Sequence, residues 1–222
     1  MRLIKYLFAT LGFSLVAGMA QAANPVAGVD YQILDQARPT EAGAKVEVLE
    51  FFWYNCPHCF ALEPRVDQWA AKQGDNIVLR RIPIAFNKSF VAQQKLYFTL
   101  EAMGRVKDLH PKVFHSIHVE RKPLESEAAI TEFMVRQGID RKKFLDTFNS
   151  FGVNTKVERA TQLRAAYGVN STPMIAVNGR YITSPAIVGV KMRGQSEKAL
   201  HDATLDVMSY LVTKAQAEAG KK

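Results

Sequence analysis

Residues 50–59 read EFFWYNCPHC, and this stretch decides the fold. An apolar, strand-like run over residues 46–53 leads into Cys56 and Cys59, the two cysteines of the chain, and a helical pattern begins directly behind them. At a helix N-terminus the sulfur of Cys56 meets unpaired backbone N–H groups and the positive end of the helix dipole, which favour the thiolate. We therefore expect a lowered pKa and an exposed attacking sulfur for Cys56, with Cys59 more buried one turn further along.

The number and spacing of the cysteines favour redox chemistry over stabilisation. A secreted domain that depends on disulfides usually carries several pairs along its length, whereas this chain has one pair at C-x-x-C spacing. A bridge across so short a loop restricts the unfolded chain little and therefore stabilises the fold little. We interpret the pair as a reversible dithiol that needs no further cofactor. A structural staple, or half of a metal site in a binding protein, is the alternative.

Residues 1–22 have the pattern of a secretory signal. Arg2 and Lys5 precede a mostly apolar core over residues 7–19, and residues 20–22 form a small-x-small cleavage site. Loss of this segment lowers the formal net charge from +8 to +6, and the remaining lysines and arginines are scattered rather than clustered. We therefore expect an exported, soluble protein that does not bind nucleic acid.

Strand and helix patterns alternate along the rest of the chain in the order βαβ, helices, ββα. Strands are predicted over residues 31–34, 46–52, 76–84, 173–177 and 180–183. Helices, with apolar positions three or four apart, are predicted over residues 57–73, 89–104, 109–118, 126–137, 140–151 and 154–167, and from Ser196 onward. The last two strands form a hairpin, because Asn178-Gly179 supplies the two positive-φ residues of a type I′ turn.

This order predicts an α/β fold that is interrupted by a helical domain. The mature chain divides into a first half at residues 23–85, which holds both cysteines, and an inserted helical domain at residues 86–150. A second half follows at residues 151–222, with the hairpin and the last helix.

Three features together resemble the DsbA family of periplasmic thiol:disulfide oxidoreductases. They are Cys-Pro-His-Cys behind an apolar strand, the helical insert, and Ser171-Thr172-Pro173 at the start of the hairpin. The resemblance covers essentially the whole mature chain and implies a thioredoxin fold with a helical domain inserted in its middle. It also implies a disulfide donor to secreted proteins in the periplasm of a Gram-negative bacterium, acting through a Cys56–Cys59 disulfide.

The resemblance assigns roles to residues around the dithiol. Pro173 matches a cis proline of the family that faces the sulfurs, and the backbone of Thr172 would then pair with an extended substrate segment. Pro57 and His58 would tune the redox potential, because an imidazole that donates a hydrogen bond or carries charge lowers the pKa of a nearby thiol. A stabilised thiolate makes the disulfide a stronger oxidant, an effect for which DsbA is the standard example.

Glu50 and Arg81 form a candidate proton relay. A carboxylate inside an apolar strand is costly unless it is neutral or paired, and Glu50 matches a buried acid of the family that lies beneath the resolving cysteine and assists proton transfer. Arg81 falls where the family often carries a lysine, and its permanent charge does not suit a lysine-like transfer of protons. An ion pair between neighbouring strands is the alternative interpretation of these two side chains.

Partners and competing functions follow from the resemblance as well. It implies reduced secreted proteins as substrates, a quinone-linked membrane oxidase of the DsbB type for reoxidation, and a monomer. A reductase or isomerase on the same fold competes, although reductants typically carry Gly-Pro between the cysteines and isomerases an extra dimerisation domain. A metal shared by His115 and His118 is disfavoured, because no carboxylate or cysteine cluster accompanies them.

Overall fold

A computed structural model describes residues 24–220, and the predicted signal segment lies outside this range. The strands are β1 (Gln32–Ile33), β2 (Val46–Phe52), β3 (Ile77–Pro83), β4 (Met174–Val177) and β5 (Tyr181–Thr183). The helices are α1 (Pro57–Gln73), α2 (Val91–Ala102), α3 (Val106–His118), α4 (Glu127–Arg136), α5 (Arg141–Phe148), α6 (Phe151–Ala166), α7 (Pro185–Gly189) and α8 (Glu197–Ala219). The predicted α/β class is confirmed.

The five strands form one mixed sheet in the order β1-β5-β4-β2-β3. Strand β2, which leads into the cysteines, is an interior strand of the sheet: it is parallel to β3 and antiparallel to β4. All seven residues of β2 are buried, as its apolar pattern predicts. Strand β1 lies at the edge, where a short strand offers little unpaired backbone.

Helix α1 begins and ends where the sequence predicts, at Pro57 and Gln73. Proline suits the first turn, because the N–H that it lacks would have no partner there. Gly74 ends the helix with φ +55°, and its N–H bonds the carbonyl of Ala70. These signals place Cys56 at the N-cap, one residue before the helix.

The five helices α2–α6 lie between β3 and β4, and three of their boundaries differ from the prediction by three residues. Helix α3 begins at Val106 and not at Leu109, because Val106 is only partly buried and residues 107 and 108 are exposed, so the apolar pattern is weak there. Helix α5 ends at Phe148 and α6 begins at Phe151, where residues 140–151 and 154–167 were predicted as the two helices. Ser126 and Asp140, the residues at which two of the helices are predicted to begin, are N-caps whose side-chain oxygens accept hydrogen bonds from the first turn of α4 and α5.

Two hydrophobic clusters hold the sheet. One joins Leu49 and Phe51 of β2 to the helical insert, and the other joins Val48 to α8 and to Trp69 of α1. The alternation of neighbouring β2 residues between the two clusters is the period of a strand that is covered on both faces. Among residues 24–220, no helix is both long enough and apolar enough to cross a bilayer.

The hairpin turn between β4 and β5 is built as predicted, with φ +51° at Asn178 and +66° at Gly179. Gly179 also packs against the segment before β2, because its carbonyl accepts a 2.7 Å hydrogen bond from the N–H of Arg38. A Cβ atom at position 179 would clash with the carbonyl oxygen of Arg38.

We predict that Gly179→Ala destabilises the protein by about 2–3 kcal/mol, the sum of a strained φ and a disturbed backbone contact. Gly168→Ala is the matched control, since Gly168 has φ +62° but open space where the Cβ would go. It should cost only about 1 kcal/mol. Urea unfolding of the two variants measures the difference, and equal losses would show that the Arg38 contact does not matter.

Candidate active site

Cys56 and Cys59 sit at the start of α1 as two free thiols. The Sγ of Cys56 accepts a 3.4 Å hydrogen bond from the N–H of Cys59, in the manner of an N-cap. Cys59 is fully buried, as expected, but Cys56 is only 6 % exposed. The expectation of an exposed Cys56 sulfur is therefore wrong, because Thr172 crosses over it with its carbonyl oxygen 3.4 Å from Sγ.

The two thiols have opposite acidities. A hydrogen bond from the Cys59 thiol lowers the pKa of Cys56 to about 6, against the effect of burial and with help from the backbone N–H groups of Cys59 and His58. Burial raises the pKa of Cys59 well above its ordinary value. The direction for Cys56 is the one that the sequence predicts. One sulfur is therefore prepared to be a thiolate and the other a thiol.

The peptide bond between Thr172 and Pro173 is cis, which confirms the prediction for Pro173. It lies directly before β4, the strand that pairs with β2 beneath the cysteines. Beside it runs a groove of about 430 Å³. We call this the cis-proline groove; its walls include Thr172, Pro173, Pro185, Ala186, Leu200 and His201.

One wall of the cis-proline groove is formed by a short helix that the sequence does not predict. Pro185 and Ala186 belong to α7, a helix of five residues. A helix of this length is too short to show a helical period, so the apolar pattern does not predict it. Ser184 at the N-cap, with Pro185 behind it, is the signal that could have revealed the helix.

His58 contacts an unpredicted residue, Glu197 in the first turn of α8. The Nδ1 atom of His58 lies 2.7 Å from Oε1 of Glu197. This hydrogen bond raises the pKa of His58 and so favours the cationic imidazole near Cys56. The two residues are 139 positions apart, and an acidic residue after Ser196 indicates only a helix start in sequence.

Glu50 and Arg81 meet in a buried charged cluster, which we call the Arg81 cluster and which also includes Glu63 and Asp67 of α1. The two are paired across β2 and β3, with 3.1 Å between Arg81 Nε and Glu50 Oε2. Arg81 Nη2 also lies 2.7 Å from Glu63 Oε1 and 2.6 Å from Asp67 Oδ1. The ion pair between strands is thus present, and the sequence missed its two partners on α1.

Burial controls the charges in the Arg81 cluster. Together with the neighbouring Glu63 carboxylate, it raises the pKa of Glu50 to about 8, and it raises the pKa of Glu63 to about 7. Although burial by itself would lower it, the pKa of Arg81 is raised by Glu50 and Glu63, so the guanidinium stays charged. At neutral pH the cluster therefore holds a proton on a carboxyl group and not on the arginine.

The insert contributes three histidines near this region. His110 of α3 is buried, with Nδ1 at 2.7 Å from the Tyr54 hydroxyl and Nε2 at 3.2 Å from Glu63 Oε1. His118 bonds the Tyr54 carbonyl through Nε2, while His115 ion-pairs with Glu120. Within residues 24–220 no three His, Cys, Asp or Glu side chains are grouped so as to hold a metal.

Comparison with known proteins gives a consistent result. The family model of the DSBA-like thioredoxin domain matches residues 47–201. The thiol:disulfide interchange protein DsbA of Burkholderia cepacia is 40% identical over 188 residues, which cover 83% of this chain and 88% of that protein. The protein of the same name from Pseudomonas aeruginosa is 36% identical over 216 residues, with 97% and 98% coverage.

Solved structures agree with the sequence comparison. The crystal structure of Pseudomonas aeruginosa DsbA has a TM-score of 0.79 at 35% identity, and the match covers 89% of this chain and 97% of that one. The oxidoreductase DsbA of Xylella fastidiosa has a TM-score of 0.76 at 27% identity, with 88% and 100% coverage. The predicted thioredoxin fold with inserted helices is confirmed.

We predict that Cys56 of the reduced protein titrates near pH 6, and that Cys59→Ala raises this midpoint by about one pH unit or more through loss of the thiol donor. Cys59→Ser keeps an O–H donor and should stay closer to the wild-type midpoint. The pH dependence of alkylation by iodoacetamide measures all three. A Cys59→Ala variant that titrates like the wild type would contradict the assigned cause.

Proposed function

This chain belongs to the DSBA-like thioredoxin family, and we propose that it donates its Cys56–Cys59 disulfide to reduced proteins in the periplasm. It is a thiol:disulfide oxidoreductase, the activity for which its relatives are named. The observation that carries the direction of transfer is the unequal pair of thiols. A pKa of about 6 at Cys56 stabilises the reduced protein at neutral pH, and this makes the disulfide form a strong oxidant.

The reaction is two successive thiol–disulfide exchanges. A substrate thiolate attacks the sulfur of Cys56; the bond between Cys56 and Cys59 breaks, and the sulfur of Cys59 leaves and takes up a proton. A second substrate thiolate then attacks the substrate sulfur of the mixed disulfide and releases the Cys56 thiolate. The substrate loses two electrons to form its disulfide, and the protein gains them as a dithiol.

The low pKa of Cys56 favours the second exchange, since a more acidic thiol is a better leaving group. The high pKa of Cys59 means that this sulfur has to be protonated when it leaves. We assign this proton to Glu50, which holds one at neutral pH and is fully buried on β2, the strand that leads into the motif. Arg81 stays cationic, so its role is to hold the carboxyl groups and not to transfer protons.

The cis-proline groove positions the substrate peptide next to the dithiol. An extended peptide across the backbone of Thr172 would bring its cysteine to the Cys56 sulfur, which is 3.4 Å from the Thr172 carbonyl oxygen. Pro185, Ala186 and Leu200 give the groove apolar walls that suit segments of proteins not yet folded. Such segments share backbone and apolar side chains rather than one sequence, which suits a donor with many substrates.

The cellular setting completes the proposal. We propose that residues 1–22 direct export and are removed, that the mature protein works as a monomer, and that the disulfide is its only redox group. A quinone-linked membrane oxidase of the DsbB type would return the dithiol to the disulfide. Each of these statements extends the family assignment and is open to test by N-terminal sequencing, ultracentrifugation and reoxidation with purified membranes.

We predict that the Cys56–Cys59 pair of the mature protein has a redox potential more oxidising than that of the glutathione couple, as measured by equilibration in glutathione buffers. Trp53 reports the state, because its carbonyl accepts a 3.0 Å hydrogen bond from the N–H of Cys56, and Cys56→Ser is the control that cannot change state. Fluorescence against buffer ratio gives the midpoint. A strongly reducing midpoint would overturn the donor assignment in favour of a reductase, and an unreactive pair would favour a structural disulfide in a binding protein.

We also predict that His58→Pro weakens the oxidant roughly tenfold for each unit by which the pKa of Cys56 rises. Proline removes both the imidazole and the backbone N–H, which contributes to the low pKa of Cys56. His58→Ser removes the ring alone, and Glu197→Gln removes only the charge that favours the imidazolium. The same redox titration ranks them, with His58→Pro largest and Glu197→Gln smallest. If all three match the wild type, His58 does not tune the site.

A further inference from the structure

His110 is a buried titratable residue that the exchange chemistry does not use. It lies on α3 of the helical insert, 2 % exposed, and its two ring nitrogens face different groups. Nδ1 is 2.7 Å from the Tyr54 hydroxyl, and Nε2 is 3.2 Å from Oε1 of Glu63. The ring therefore connects the residue two positions before Cys56 with the Arg81 cluster.

The neighbours of His110 determine its tautomer. Burial lowers the pKa of His110 to about 3, so the ring is neutral and carries a single N–H. Burial raises the pKa of Tyr54 well above its ordinary value, so its hydroxyl keeps its proton and is able to donate it to Nδ1. We place the hydrogen of His110 on Nε2, which lies 3.2 Å from Glu63 Oε1 without the alignment of a hydrogen bond. The opposite tautomer would set a lone pair against a carboxylate oxygen 3.2 Å away.

Glu63 and Glu50 consequently have unequal surroundings. Oε1 of Glu63 lies 2.7 Å from Arg81 Nη2 and 3.2 Å from His110 Nε2, whereas Oε2 of Glu50 lies 3.1 Å from Arg81 Nε. One guanidinium cannot balance the carboxylates of Glu50, Glu63 and Asp67, so a buried carboxyl keeps a proton. The negative charge is more stable at Glu63, which lies close to both the guanidinium and the imidazole nitrogen.

We infer that His110, oriented by Tyr54, is a positioning residue that holds the negative charge on Glu63 and thereby keeps the relay proton on Glu50. This rests on the proposed function, in which Glu50 supplies the proton to Cys59. The ionisable groups that face the two glutamates come from every element around them. They are Tyr54 after β2, Asp67 of α1, Arg81 of β3, Tyr97 of α2 and His110 of α3.

The pKa values of the two glutamates agree with this assignment of the proton to Glu50. Glu50 is raised to about 8 and Glu63 to about 7, chiefly by burial in both cases. Glu50 is 0 % and Glu63 3 % exposed, and the Glu63 carboxylate raises the pKa of Glu50 further. At neutral pH the proton belongs to the glutamate on the strand that leads into the cysteines.

The test is a carboxyl titration by ¹³C NMR of glutamate-labelled, reduced protein, with Glu50→Gln and Glu63→Gln to assign the two signals. Tyr54→Phe should bring the midpoints of Glu50 and Glu63 together by roughly 0.5–1 pH unit, because the tautomer is no longer fixed. His110→Leu should have a larger effect in the same direction. His110→Gln, whose amide can still donate toward Glu63, should restore part of the difference.

Tyr97→Phe is the matched control. Tyr97 is buried beside the same imidazole, with its ring centre 5.4 Å away, and loss of its hydroxyl should change the difference between the two midpoints less than Tyr54→Phe does. Identical midpoints in wild type and Tyr54→Phe, or the proton on Glu63 in the wild type, would overturn the inference.

The pH profile of disulfide exchange separates this inference from the proposed relay. A Tyr54→Phe profile that moves together with the Glu50 midpoint supports both. Normal exchange by Glu50→Gln, with the NMR shifts as expected, would overturn the relay and with it the role of His110 in the reaction. A reducing midpoint in glutathione would instead refute the donor function, whatever the carboxyl groups do.

Discussion

The contact between the Cys56 sulfur and the N-terminus of α1 is the interaction on which the site depends. The sulfur acts as an N-cap, so the same N–H groups that would otherwise lack partners also stabilise the thiolate. Strand β2 delivers Cys56 to this position, and Pro57 starts the helix immediately behind it. The Thr172 carbonyl covers the sulfur from the other side, and Thr172 and Pro173 also line the cis-proline groove. The start of a helix thus gives two ordinary cysteines their unequal acidities.

The Arg81 cluster, unlike the N-cap, lowers the stability of the fold, and its proposed role in proton transfer explains why it is there. Burial of several charged groups is unfavourable, and well-packed apolar residues would often hold β2, β3 and α1 together at least as well. The cluster nevertheless includes Glu63, one turn after Cys59 on α1, keeps a proton available at neutral pH, and is contacted by a histidine from the insert. The helical insert therefore does more than enlarge the fold, since α3 supplies a group that influences the charge of the thioredoxin-like half.

Sequence predicted well wherever the signal is local. The bounds of α1 follow from Pro57 and Gly74, the hairpin turn from Asn178-Gly179, and the N-caps of α4 and α5 from Ser126 and Asp140. The family resemblance added the cis bond before Pro173, which no local pattern requires.

What the sequence missed are pairings between distant elements. Glu197 reaches His58 over 139 positions, and His110 reaches Tyr54 over 56. Neither partner differs in pattern from an ordinary helix residue, because an acid in a first turn and a histidine on an apolar face are common. The burial of Cys56 escaped prediction for the same reason, since the residue that covers it lies 116 positions away. These 116 positions also bear on how the protein matures: a chain that emerges from its N-terminus presents both cysteines long before Thr172 can cover them. Since such non-local closure is slow compared with helix formation, α1 and its Cys56 N-cap form while the sulfur is still uncovered, and Thr172 covers it only as the last third of the molecule docks. The cover over the sulfur is therefore among the last parts of the site to form.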